Sequence, residues 1–501
     1  MSALLNGLSE ATNKAFTDNG AISRETTNSD CLDFFSHGGA LRNAPERAVH
    51  LFDKAYNEDK DVALKTMFYF RDIRGGQGQR KAFRDQMKYL ATIDAQVMEG
   101  LIKHVAEFGR WDDLYSLFDT DLKKSALQAF NTQMILDMKA FKVGEQVSLL
   151  AKWLKSENAS SKLTKTLARD TRKHFKWSSK HYRKVLSALR KYINVTECQV
   201  SARQWKDINY SAVPSNAMMK YRKAFKKHDE KRFETFIEKV NSGEAKINSS
   251  VLYPYEIVEK ILEWSKNIEP SVAQAMWQNL PNYVDPEVAE NAIAVVDTSG
   301  SMSGQPMNVA VSLGIYLAER ASGSYKDHFI TFSAEPKLQK LKGEDITEKV
   351  KNLSRANWDM NTNLEKVFML ILNVAKRDEL SQDDMLDKIY IISDMQFDSC
   401  MGGGRSWGAR HDIAHCTLDK TLMVTLQNRF KADGYVMPEL VFWNVNATNS
   451  SFPMSLDDRG FLNVSGFSPS IFKSLIGGEY TSPTQLMLDV VNAERYDVIH
   501  S

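Results

Sequence analysis

Ala292-Ile293-Ala294-Val295-Val296 is an unbroken apolar run, and Asp297 ends it. A strand with one wet face alternates apolar and polar residues. A short run with no alternation marks a strand buried on both faces, as in parallel sheets covered by helices. Phe329-Ile330-Thr331-Phe332, Ile389-Tyr390-Ile391-Ile392 and Leu440-Val441-Phe442-Trp443 repeat the pattern. Helical stretches intervene at Met307 to Arg320, Leu364 to Ala375 and Thr417 to Phe430. Strands alternating with helices predict a doubly wound α/β sheet, which binds ligands at the carboxyl ends of its strands where the strand order reverses.

Before residue 285 the period is helical. Tyr182, Val185, Leu186, Leu189 and Ile193 fall on one face of a helix, with Arg183, Lys184, Arg190 and Lys191 on the other. Met98 to Leu117, Phe233 to Val240 and Ile257 to Trp264 read the same way. Strand signals are sparse there, so a bundle or α-solenoid is expected. The stretch Pro281 to Glu290 carries two prolines and reads as a linker. The expected architecture is therefore two domains: an all-α domain over residues 1–285 and an α/β domain over 286–501.

Charge separates along the same chain. The whole sequence nets only +2. Residues 151–250, however, hold 24 Lys and Arg against 9 Asp and Glu, while residues 291–501 hold 20 against 26. A concentrated basic surface attracts polyanions whatever the total charge. Met1 to Gly20 lacks an apolar core with a basic flank, and no apolar run reaches about 18 residues, so neither a secretory leader nor a membrane partner is expected. Cys31, Cys198, Cys400 and Cys416 are scattered, which suits a reducing, cytoplasmic setting.

Asp297-Thr298-Ser299-Gly300-Ser301 follows the first apolar strand. Three oxygen side chains on alternate residues of one loop can converge on a hard cation, Mg²⁺ or Mn²⁺, which takes oxygen ligands. Later strand-end loops offer Thr362 and Asp394, and Asp394 follows its strand much as Asp297 does. A helix-capping turn before Met307 would use the same three residues. The constellation resembles the metal-ion-dependent adhesion site of a von Willebrand factor A domain. That resemblance implies Ser299, Ser301 and Thr362 as ligands, Asp297 and Asp394 acting directly or through water, and an open position for an acidic group of a protein partner. The family usually has glycine before the threonine; here Asn361 stands there.

In the basic stretch, Arg172, Lys173, Lys176, Arg183, Lys184, Arg203, Lys206, Arg222 and Lys223 interleave with Trp177, Trp205 and Tyr221. Phosphates need charge and unpaired bases need stacking, so this mixture suits RNA. Arg71-Asp72-Ile73-Arg74-Gly75-Gly76-Gln77-Gly78-Gln79-Arg80 reads either as a tight inter-helix turn or as a loop placing Arg71, Arg74 and Arg80 on phosphate; lacking Gly-Lys-Ser/Thr, it is no P-loop. With Leu149 to Leu154, Val213 to Met218, Tyr253 to Val258 and Ser393 to Asp398, this run resembles the TROVE module of Ro-type RNA-binding proteins, in particular an uncharacterised relative of that group. The resemblance implies a HEAT-like helical ring closed by the A domain, with single-stranded RNA ends or structured RNA as ligand.

His411, His415 and Cys416 lack an evident fourth zinc ligand, and Gly402-Gly403-Gly404 reads as a surface loop. No G-x-S-x-G elbow surrounds Ser299 or Ser301, and no general base is visible, so a non-enzymatic role is expected. The sequence thus predicts a Ro-like ribonucleoprotein component whose A domain recruits a partner through a divalent cation. The alternative is a metal-dependent assembly factor with no RNA role.

Overall fold

The computed structural model describes residues 13–16, 22–249, 252–263, 268–284, 291–321, 323–331, 336–354, 364–395, 422–446, 452, 460–476, 480 and 482–501. From Asp30 to Gln278 they are mainly helical. A two-stranded antiparallel ribbon, β1 (Lys14–Phe16) and β2 (Ile22–Arg24), precedes the helices. Local chemistry sets several helix starts. Ser29, Asp59, Ser161 and Ser178 each accept a backbone N–H of the first turn, which would otherwise lack a partner. The Ser179–Tyr192 helix buries Tyr182, Leu186 and Leu189 and leaves Arg183 and Lys184 in water, as its periodicity predicts.

The expected helical run from Met98 to Leu117 is instead broken. Short turns at Ala95–Leu101 and Val105–Phe108 give way at Gly109 to a 3-10 segment, Trp111–Asp119. Gly109 adopts φ −125°, ψ −121°, outside the helical region, and an added Cβ would lie 2.5 Å from the Asp113 carboxylate. Arg110 lies over the Trp153 ring at 4.4 Å, and its amide donates to Asp113.

From Ala292 the chain builds a six-stranded sheet: β3 (Ala292–Val296), β4 (His328–Thr331), β5 (Lys337–Lys340), β6 (Lys388–Ser393), β7 (Glu439–Asn444) and β8 (Phe461–Ser465). The order is β5-β4-β3-β6-β7-β8, parallel throughout except for the antiparallel edge strand β5. The sheet is therefore mixed rather than wholly parallel. The helices Gln305–Arg320, Leu364–Arg377 and Leu422–Ala432 intervene where helical stretches were expected.

Apart from the exposed edge strand β5, each strand divides its side chains between two cores. Ile293, Val295, Ile389, Ile391, Leu440 and Phe442 meet Leu364, Phe368, Leu426 and Phe430 on one face. Ala294, Val296, Tyr390, Ile392, Val441, Trp443 and Val464 face the other way and join Phe34, Phe70, Ile257 and Met276 of the helical part in a single cluster. The apolar core thus crosses from one half into the other. Trp443 is fully buried there and its indole N–H donates to Gly466 O at 2.8 Å. Truncation of a buried aromatic of this kind costs roughly 3–5 kcal/mol.

Polar contacts reinforce the junction. Gly39 N–H donates to Ser465 Oγ (2.8 Å), Ser468 N–H to Gln77 Oε1 (3.3 Å) and Ser470 Oγ to Gly76 O (3.2 Å). Tyr496 packs against Phe108 with ring centroids 5.6 Å apart. The glycine-rich run Arg71 to Arg80 is accordingly a turn between the Lys60–Arg71 and Lys81–Ile93 helices that docks on the sheet half. At Gly76 an added Cβ would meet Tyr69 O at 1.9 Å, and Gly78 holds φ +61°.

Candidate cation site and basic surface

The chain leaves β3 toward β4 and β5 on one side, then returns to β6 and continues to β7 and β8 on the other. The strand order therefore reverses between β3 and β6, where open α/β sheets form a crevice. Val296 lies opposite Ile392, and Asp297 N–H donates to Ile392 O at 3.0 Å. This register delivers Asp297 and Asp394 side by side at the strand ends, and both are fully buried. Ser299 N–H donates to Asp297 Oδ1 (2.9 Å), and the Ser393 hydroxyl donates to Asp297 Oδ2 (2.5 Å). The hydroxyls of Ser299 and Ser301 lie 3.0 Å apart, Ser299 buried and Ser301 exposed.

Burial pushes the Asp297 carboxyl up to about 6, and the charge of Asp394 adds to the rise; the hydrogen bonds from Ser393 and Ser299 pull against it. Two adjoining buried carboxylates with two hydroxyls on the same loop form an oxygen donor set, which fits a hard divalent cation. Among the described residues no group of three or more His, Cys, Asp and Glu side chains converges, and the further oxygen donors on the loop after β3 are the Ser299 and Ser301 hydroxyls. Thr362 lies outside the described residues, as do Gly402 to Gly404, His411, His415 and Cys416.

The structure sorts the basic candidates. Arg74, Arg80, Lys173, Lys176, Arg183, Lys184, Arg203, Lys206 and Lys223 are exposed. Within the basic stretch, Trp177 and His181 meet edge to face at 4.8 Å, and His228 stacks on Trp205 at 4.5 Å with 12° between the planes. Lys180, Arg183 and Lys184 line a cavity of about 510 Å³ with Ser156, Asn158 and Arg190.

Three of the arginines expected on phosphate are corrected. Arg71 is only 1 % exposed; its guanidinium donates to Asp113 Oδ2 at 2.9 and 2.6 Å. Its hydrogen bonds are spent on a carboxylate that also takes Arg84 at 2.7 Å. Arg222, 7 % exposed, donates to Met219 O at 2.5 Å and lies 3.6 Å from Glu269. Arg172 is half-buried, bonded to Glu157 (2.8 Å) and to Trp177 O (2.9 Å). Each holds its own fold together and offers a phosphate little.

Sequence reasoning missed Ser393. The signal was present, a hydroxyl residue closing an apolar strand directly before a strand-end aspartate, but its partner lies 96 residues away.

A helical half and a six-stranded mixed sheet, sharing one core and bearing paired carboxylates at the switch point, define a two-part α plus α/β protein. Residues 17–145 and 142–296 match the family described as "Domain of unknown function (DUF2828)", and residues 291–497 match "Domain of unknown function (DUF7788)". "Uncharacterized protein L728" of Acanthamoeba polyphaga mimivirus is 30 % identical over 516 residues, covering 96 % of this chain and 87 % of that protein. The chain belongs to the DUF2828 family, and its sheet half carries the DUF7788 match.

Proposed function

We propose that this chain is a Ro-like RNA-binding protein: its helical half, a HEAT-like ring or solenoid, holds RNA, and its sheet half, a von Willebrand A-like domain, binds Mg²⁺ or Mn²⁺ and recruits a protein bearing an acidic group. The carrying observation is the exposure of Lys173, Lys176, Arg183, Lys184, Arg203, Lys206 and Lys223 in one stretch of the chain that also holds the Trp177–His181 and Trp205–His228 ring pairs. Charge holds phosphate and the rings stack unpaired bases. The role is binding rather than catalysis, and the cytoplasm is the setting in which this RNA reading places it. Among the described residues no helix is long and apolar enough to cross a membrane.

The second reading, a metal-dependent assembly factor without RNA, is favoured by the buried Asp297–Asp394 pair alone. Fluorescence anisotropy of a labelled hairpin RNA with a single-stranded end, titrated across salt concentrations, separates the two. The RNA reading expects affinity to fall linearly on a logarithmic salt scale. No binding at low salt, with cation-dependent protein capture intact, leaves the assembly reading.

A further inference from the structure

Ser393 closes β6 and is fully buried. Its hydroxyl donates across the β3–β6 junction to Asp297 Oδ2 at 2.5 Å and accepts the Met395 N–H at 3.1 Å. Its carbonyl accepts Val445 N–H at 3.1 Å, fixing the end of β6 against β7. Met395 stands at φ +64°, the left-handed region that non-glycine residues avoid. That turn is held by the Ser393 hydroxyl on one side and by the burial of the Met395 side chain on the other. One oxygen therefore grips the carboxylate that ends the β3 run and the peptide that follows Asp394.

We propose that Ser393 is the positioning residue of the strand-end site, its hydroxyl fixing Asp297 and the Asp394 turn as one unit so that both carboxylates serve a single divalent cation. This rests on the cation reading given above. The role demands a group that donates to a carboxylate and accepts from an amide at once, which a serine or threonine hydroxyl does and an aliphatic side chain does not. Partners behind the groups that meet a metal commonly govern its affinity by 10–100-fold.

Mn²⁺ titration of the full chain, followed by the electron paramagnetic resonance of free Mn²⁺, tests this. Ser393→Val should weaken Mn²⁺ binding by about 10–100-fold. Ser393→Thr, equal in shape to valine but retaining the hydroxyl, should stay within about threefold of the parent protein. Circular dichroism and the melting temperature without metal check folding, and Ser393→Ala serves the same comparison if the valine variant does not fold. Parent-like Mn²⁺ affinity in Ser393→Val or Ser393→Ala, while Asp297→Ala loses it, overturns the role of Ser393 alone. A threonine variant as weak as the valine variant also overturns it, because the hydroxyl would then be irrelevant. A parent protein that binds no Mn²⁺ removes the cation reading and this role together.

Discussion

Asp72 and Arg495, 423 residues apart in sequence, form a two-point ion pair: Arg495 Nε donates to Oδ2 at 2.5 Å and Nη2 to Oδ1 at 2.9 Å. Asp72 is fully buried and also accepts the Tyr496 hydroxyl (3.2 Å) and the amides of Arg74 (3.0 Å) and Gly75 (3.2 Å). One carboxylate thus shapes the glycine-rich turn and fastens residues 495–496 onto the helical half. The resulting pair holds Arg495 charged more firmly than a free guanidinium.

Asp72→Ala should be among the most damaging single changes. It leaves the guanidinium, the phenol and two amides without their acceptor, a loss of about 3 kcal/mol. Urea denaturation of the full chain measures it. A change below about 1 kcal/mol would show that water replaces the carboxylate without penalty.

Gly39→Ala isolates the steric side of the same junction. Gly39 has φ −61°, which alanine adopts freely, yet its Cβ would lie 2.1 Å from Ser465 O. Backbone on both sides leaves nothing cheap to move, so destabilisation by roughly 1–3 kcal/mol is expected, read as a lowered melting temperature. An unchanged melting temperature would mean that the two halves are not packed this closely.

Arginines that look alike in sequence should separate cleanly. Arg183→Glu with Lys184→Glu should weaken RNA binding and leave the melting temperature unchanged. The salt slope should fall by about 0.7 for each single-strand phosphate that the protein no longer neutralises. Arg71→Ala should instead destabilise the fold by about 3 kcal/mol, because it breaks a fully buried ion pair and leaves the interior Asp113 carboxylate with Arg84 as its remaining guanidinium partner. Equal effects of the two changes on RNA binding at full folding would contradict this division.

The Asp297 carboxyl gives the cation site a pH signature. Its folded pKa of about 6 lies above the unfolded value of 3.8, so its ionisation weakens the metal-free fold as pH rises through that window. A divalent cation binds the ionised form and offsets that loss. Mg²⁺ or Mn²⁺ should therefore raise the melting temperature more at about pH 7.5 than at about pH 5, and Asp297→Ala should abolish the difference. A cation effect independent of pH would place the ion elsewhere.

Legibility followed burial. β3, β6 and β7 were plain because helices cover both their faces, forcing continuous apolar runs. β5, Lys337-Leu338-Gln339-Lys340, gave no such signal because it is an edge strand whose lysines meet water. β8 escaped notice for a different reason: Asn463 and Ser465 interrupt its apolar pattern, yet both are buried, and Ser465 serves the junction with Gly39.

By itself the sequence determined the change of period near residue 285, the concentration of positive charge over 151–250, and the recurrence of aspartate at the ends of two apolar strands. These are properties of neighbouring residues, set by side-chain periodicity and composition. Only the tertiary structure decided which strand lies beside which, and so that Asp297 and Asp394 meet at a reversal of strand order. It alone separated Arg71, bonded to a carboxylate 42 residues away, from Arg183 in solvent. It also turned two halves of unlike composition into one body, because one face of the sheet and the helical core exclude water together.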